Sequence, residues 1–239
     1  MGFNFPGPLK GWRVFAGEVG VIVLGVLLAL GAQQLAEALQ RQSEVREFRR
    51  TIDHEIGLNL FVYDVRSRGS ACNMRRIRDL LAWLRTADDR ESLPDLDIYG
   101  PAALFPYRAA WDSRDGNVFA SVPPDARLKY AEFYDELGGN NARLEAEIAA
   151  WSAMKGFELA GPISHQERRE LYRHLAEAFV ADGTLAANLP VSKKIAEELG
   201  VTAIRPDNLT KEFLASIDAC APIILPEKTP NSTGGSVAN

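Results

Sequence analysis

Residues 14–32 read VFAGEVGVIVLGVLLALGA, nineteen positions with one charge, Glu18. At about 1.5 Å rise per residue a helix of that length covers roughly 28 Å, close to the hydrocarbon thickness of a bilayer. No later stretch repeats this pattern, so the expected plan is a single-pass anchor with one folded body. Small residues at the end of the run, Ala29-Leu30-Gly31-Ala32, and the basic Lys10 and Arg13 before it would also suit a cleaved secretory peptide. The run, however, continues without a break into Gln33-Gln34-Leu35-Ala36-Glu37-Ala38-Leu39, and an acid inside a leader is unusual, which favours the uncleaved anchor. Both readings export the body.

Orientation rests on opposing signals. Four arginines after the span, Arg41, Arg46, Arg49 and Arg50, argue for a cytoplasmic body, whereas the short basic tail resists translocation and argues for the reverse.

Working outward, Val45, Phe48, Ile52, Ile56, Leu60 and Tyr63 recur at three- and four-residue steps and predict a helix continuous with the anchor, ending near Gly69. Ser70 is then placed to cap a second helix, striped by Met74, Ile77, Leu81 and Leu84, that runs back along the first until Asp88-Asp89 and Pro94. Residues 86–108, punctuated by Leu93-Pro94, Gly100-Pro101 and Phe105-Pro106, read as a segment strapped down by Ile98, Tyr99, Leu104, Phe105 and Tyr107. A short helix follows over 109–120, with Trp111, Val118 and Phe119 inward.

Pro123-Pro124 opens a helix in which Tyr130, Tyr134, Leu137, Asn141, Leu144, Ile148 and Trp151 alternate steps of four and three, as heptad a and d positions do. A lone Asn141 at such a position can set register and partner number in a coiled coil, so self-association is one reading; packing inside the monomer, with a kink at Gly138-Gly139, is the other. Ser164 and Glu167 form a capping-box pattern for a further helix carrying Leu171, Leu175, Ala178 and Leu185. Pro190 should kink or break it, and Gly200 should end it. A last helix is expected over 207–219, and residues 226–239, rich in Pro, Ser, Thr and Gly, read as disordered.

Composition bounds the body. About 190 residues follow the anchor, enough for one core, and 46% apolar with 25% charged residues is ordinary globular usage. A net charge of −5 offers no general pull toward nucleic acid. The one basic cluster, Arg66, Arg68, Arg75, Arg76 and Arg78, lacks interleaved aromatics and reads as a solvated face or a contact for lipid headgroups. Cys72 and Cys220 are the only cysteines. In an oxidising compartment they could close a bridge worth roughly 4–5 kcal/mol on the loop-entropy model; otherwise they are two buried thiols.

Chemistry is sparse. The chain carries no Gly-x-Ser-x-Gly elbow, dinucleotide fingerprint, phosphate loop or His-Glu-x-x-His. Asp53-His54-Glu55 occupy adjacent helical positions that diverge by about 100°, His165 and His174 face different sides, and Asp95-Leu-Asp97 is a short acidic pattern without further ligands. No metal, cofactor or catalytic residue is therefore assigned, and an enzyme ranks behind other functions. Gly25, Ala29 and Gln33 fall on one face of the span at steps of four, a small-residue arrangement that lets two membrane helices approach.

Gly17-Glu18-Val19 and the apolar run 21–30 leading into a charged helix, with Ala110-Trp111-Asp112 after a proline-rich connection, resemble a family of uncharacterised bacterial single-pass membrane proteins with a helical extracytoplasmic body. That resemblance implies a bacterial inner-membrane location with the body in the periplasm, and no activity. The expected fold is all-α, one transmembrane helix continuing into an antiparallel helical bundle: tail 1–13, anchor 14–36, bundle domain 37–225 and disordered tail 226–239. The expected function is a membrane-anchored interaction module of the envelope, whose partners are membrane lipid and either a second copy or another envelope protein. The alternative is a sensor-like domain binding a small ligand between its helices, with Trp111, Tyr130, Tyr134 and Trp151 as candidate pocket walls.

Overall fold

The computed structural model describes residues 11–86, 96–101, 105–159 and 163–225. Six α-helices account for most of them: α1 (Trp12–Thr86), α2 (Ala109–Asp112), α3 (Gly116–Ala120), α4 (Pro124–Lys155), α5 (His165–Glu198) and α6 (Lys211–Asp218). Among the described residues there is no strand, only the isolated antiparallel bridge between Leu96 and Ile224. The fold is all-α. The helix end near Asp88 and Pro94, the first ten residues, Leu104 and the tail 226–239 lie outside the described residues.

The chain divides into two units, Met1–Arg50 with Arg114–Val122, and Thr51–Ser113 with Pro123–Asn239. In the first unit the apolar stretch of α1 is unpartnered: Val21, Ile22, Leu24, Leu27 and Leu28 are all more than half exposed. It is the one described segment long and apolar enough to cross a membrane, and none of it is buried. Phe48, farther along, stacks edge-on against Phe119 of α3 at 5.9 Å. Asp115 caps α3 by accepting from the Asn117 and Val118 N–H groups. The single helix expected over 109–120 is thus two, because Asp115 begins a new one.

In the second unit, α1 from Thr51 onward, α4 and α5 supply the core. Ile52 and Ile56 are fully buried, as are Tyr130, Phe133, Tyr134 and Leu137 of α4. Toward the other end Ile77, Leu80, Leu84, Trp151, Met154, Leu171 and Leu175 form one apolar cluster. The helix does not stop near Gly69. It runs unbroken to Thr86, because Gly69 has no left-handed φ to terminate it and the Ser70 hydroxyl is committed to Asp182 of α5 at 2.6 Å instead of capping a new helix.

Pro190 likewise leaves α5 unbroken. The missing N–H frees the carbonyl of Ala186, an exposed residue whose oxygen water can satisfy. Ser164 and Glu167 form the reciprocal capping box that starts this helix. Its end is a Schellman motif: Gly200, at φ 76°, donates to the Glu197 carbonyl and Val201 to that of Ala196, each at 2.9 Å. The chain then crosses α1 so closely that the Ile204 N–H reaches the Gly57 carbonyl at 2.8 Å. A Cβ at Gly57 would lie 2.7 Å from Ile204 Cδ1, so only glycine permits this crossing.

Candidate functional site

A row of buried polar side chains runs along the core face of α1: Glu55, Asn59, Arg66, Asn73 and Arg76. Their spacing of four, seven, seven and three residues keeps them on the stripe that also carries Ile52, Ile56 and Leu60. Arg66 and Arg76 are therefore not part of a solvated basic face; only Arg68, Arg75 and Arg78 of that cluster are exposed. Burial of such groups is costly unless each is partnered, so the partners define what each does.

The first two are structural. Glu55 accepts from the Ala110 and Trp111 N–H groups at 2.7 and 3.2 Å, and from the Tyr134 hydroxyl at 2.5 Å. It thus caps α2, whose own N-cap residue, Arg108, makes no side-chain cap bond. Burial beside this carboxylate pushes the Tyr134 hydroxyl pKa well above the usual phenol range. The Asn59 amide exchanges two 2.8 Å bonds with the Tyr107 backbone and so pins the segment before α2. Trp111 stacks on Tyr134 at 4.3 Å within the core.

The middle of the row is ionic. Arg66 donates through Nη2 to Glu147 of α4 and, at 2.7 Å, to Asp182 of α5, and Asp182 also accepts from Ser70. Burial holds the Glu147 carboxyl up at about 7, opposed by Arg66 and reinforced by Asp182. Desolvation wins because the Glu147 side chain is 0% exposed, and taking a carboxylate out of water outweighs one shared guanidinium.

Arg76 is different. It is 1% exposed and among the described residues makes a single hydrogen bond, Nη2 to the Tyr99 carbonyl at 2.6 Å, with its guanidinium 3.4 Å from the Tyr99 ring centroid and 5.1 Å from that of Trp151. Among the described residues no carboxylate stands within ion-pair distance. Burial pulls its pKa below the usual arginine value, partly offset by Tyr99 and Asp97.

Arg66, Asn73 and Arg76 all border a cavity of about 220 Å³. Val62, Val65, Leu137, Leu144, Leu185 and Leu189 supply apolar walls, and Phe213 and Ile217 of α6 close one side. Trp111, Tyr130, Tyr134 and Trp151, the aromatic residues expected to line a pocket, are core residues outside this wall.

The cover is tied down. Cys72 and Cys220 are joined in a disulfide with Cα atoms 5.6 Å apart, at a sequence separation of 148. Beyond it, Asp97 donates its N–H to the Ile223 carbonyl at 2.9 Å, and the Tyr99 hydroxyl donates to that of Ala221 at 3.0 Å. Thr210 caps α6 by accepting from the Phe213 N–H at 3.1 Å.

The remaining positions singled out in the sequence lie elsewhere. Gly25, Ala29 and Gln33 are exposed on α1, and Gln33 donates to Glu37 at 2.9 Å. Asn141 is half-buried on α4 and donates to Glu145 at 2.7 Å. Asp53 accepts from the Tyr130 hydroxyl at 2.7 Å, while His54 is exposed. Among the described residues no three His, Cys, Asp or Glu side chains converge as a metal site.

Fold and site define an all-helical domain with one apolar helical segment near its N-terminus and, in its body, a largely apolar cavity edged by buried polar residues. No protein-family model matches the chain, and neither does any curated protein or solved structure.

Proposed function

We propose that this chain is a membrane-anchored binding module of the bacterial envelope, whose helical body holds a small ligand in the cavity between α1, α4, α5 and α6. The observation that carries this reading is the set of buried polar groups left without partners along an otherwise apolar wall: Arg66 Nε, Asn73 Nδ2, Arg76 Nε and Asn141 Oδ1. Native interiors leave few such groups, and their clustering in residues that line one cavity under a disulfide-tied cover supports a binding site. The exposed apolar residues of α1 support anchoring, since water is a poor solvent for so continuous a surface. The disulfide supports a body in an oxidising compartment, hence the periplasm.

Ligand binding is tested on the full chain in lipid nanodiscs by ligand-observed NMR against a fragment library of ring-sized compounds. Hits that are lost on filling the cavity with Leu185→Trp support the reading; a folded protein with no such hit overturns it. Anchoring is tested by alkaline carbonate extraction of membranes, with release of untrimmed protein as the contrary result.

Association with a second copy is a second reading, favoured by the exposed face of Gly25, Ala29 and Gln33, where a second helix meets no side chain at Gly25. Crosslinking in native membranes distinguishes a dimer from monomer alone.

A further inference from the structure

The cavity's polar groups are unevenly matched. Three residues that border it each bury a donor without an acceptor, Arg66 Nε, Asn73 Nδ2 and Arg76 Nε, against one with an unmatched acceptor, Asn141 Oδ1. A ligand that fits this wall must itself accept hydrogen bonds. The formal charges point the same way. Arg66 is answered by Glu147 and Asp182, whereas Arg76, buried more deeply still, has a backbone carbonyl and the rings of Tyr99 and Trp151 against it, and Asp97 acts on it only from beyond ion-pair distance. An isolated buried cation costs several kcal/mol unless a counter-charge offsets it.

Asn73 lies one turn before Arg76 on α1, so the two side chains project from neighbouring positions on one helix face. A carboxylate has two oxygens to offer such a pair, and guanidinium-to-carboxylate bonds are among the stronger ones available to a protein.

Size and wall chemistry set the rest of the molecule. A volume of about 220 Å³ corresponds to roughly seven waters, and an apolar cavity of ~150 Å³ is enough to hold benzene. This leaves room for one ring or one branched chain beside the anionic group, and is smaller than a drug-sized pocket. Resting on the ligand-binding reading above, we infer that the cavity takes a small monocarboxylate with an apolar body, its carboxylate received by Arg76 and Asn73 and its body laid against Val65, Leu144, Leu185 and Phe213.

The test uses the full chain in nanodiscs with three acid and amide pairs: benzoate, phenylacetate and isovalerate, each against its primary amide. At least one acid should bind ~10-fold or more tightly than its amide, because only the acid brings a negative charge within ion-pair distance of Arg76. Arg76→Gln should remove that preference and Asn73→Leu should weaken the acid several-fold. If Arg76→Gln does not fold, the wild-type pairs and Asn73→Leu decide the matter by themselves. Acid and amide binding equally, with both lost in Leu185→Trp, would leave the ligand-binding reading standing and overturn the anionic one. Failure of all six compounds against folded protein overturns the anionic inference while the fragment screen decides ligand binding, and an acid preference untouched by either substitution overturns the assignment to these residues.

Discussion

Residues 21–30 and residues 55–76 belong to the same helix, yet they distribute polarity in opposite ways. In the first stretch the large apolar side chains are the exposed ones, Val21 at 71% and Leu28 at 66%. In the second, the charged and amide side chains are the buried ones, with Arg76 at 1%. Apolar surface left in water costs about 25 cal/mol per Å², so the first stretch is costly to leave exposed to water. Polar groups removed from water are stable only when paired, and the second stretch is paired almost throughout: Glu55 with α2 and Tyr134, Asn59 with Tyr107, Arg66 with two carboxylates. Where pairing is incomplete, at Arg66, Asn73 and Arg76, the residues line the cavity.

That contrast can be broken most severely at the cover of the polar stretch. Replacing Cys72 and Cys220 together by serine should cost up to about 5 kcal/mol on the loop-entropy model for a 148-residue separation, read as a lowered denaturation midpoint. A midpoint equal to that of the oxidised wild type would show that the other contacts hold α6 in place alone. Next in size, Arg66→Met strands Glu147 and Asp182 and should destabilise the body by roughly 3–5 kcal/mol. The triple change Arg66→Met, Glu147→Leu, Asp182→Leu should recover most of that loss, and an unrecovered triple variant would mean that the network does more than neutralise itself.

At the apolar stretch, Leu24→Arg should cost about 2.5–3.5 kcal/mol of insertion free energy and shift protein from the membrane to the soluble fraction; unchanged fractionation would argue that this surface does not meet lipid. The smallest effect is a pH slope. Glu147 has its carboxyl raised from 4.5 to about 7 in the folded protein, so between those values the native state holds a proton that the unfolded state has released. Stability from this group is present in full below about 4.5 and falls as pH rises through about 7, by at most ~1.4 kcal/mol per pH unit. Glu147→Gln should flatten that slope in denaturation curves taken across the window, and an unaltered slope would assign it to another group.

Much of the fold is legible in residue spacing. The stripes of Tyr130, Tyr134, Leu137, Leu144 and Trp151 on α4, and of Leu171, Leu175, Ala178 and Leu185 on α5, are buried, and the Ser164–Glu167 box and the Gly200 cap lie where local chemistry puts them. Local rules misled at Gly69-Ser70 and at Pro190, where a local helix breaker is overruled by continuous core contacts on both sides. The site was legible only in part. Arg66 and Arg76 sit among other arginines and invite the reading of a solvated face, although their seven- and three-residue spacing from Asn59 and Asn73 already placed them on the buried stripe.

The amino-acid sequence by itself determined the helical class and the position of its one continuous apolar stretch, because both depend on periodicity and composition over neighbouring residues. Tertiary structure alone decided which charges are answered and which are not. Glu147 and Asp182 stand 81 and 116 residues from Arg66, and no local spacing reveals that they meet it while Arg76, ten residues on, has no carboxylate within ion-pair distance among the described residues. Electrostatic pairing depends on distance in space, and only the packing of α1 against α4 and α5 sets that distance.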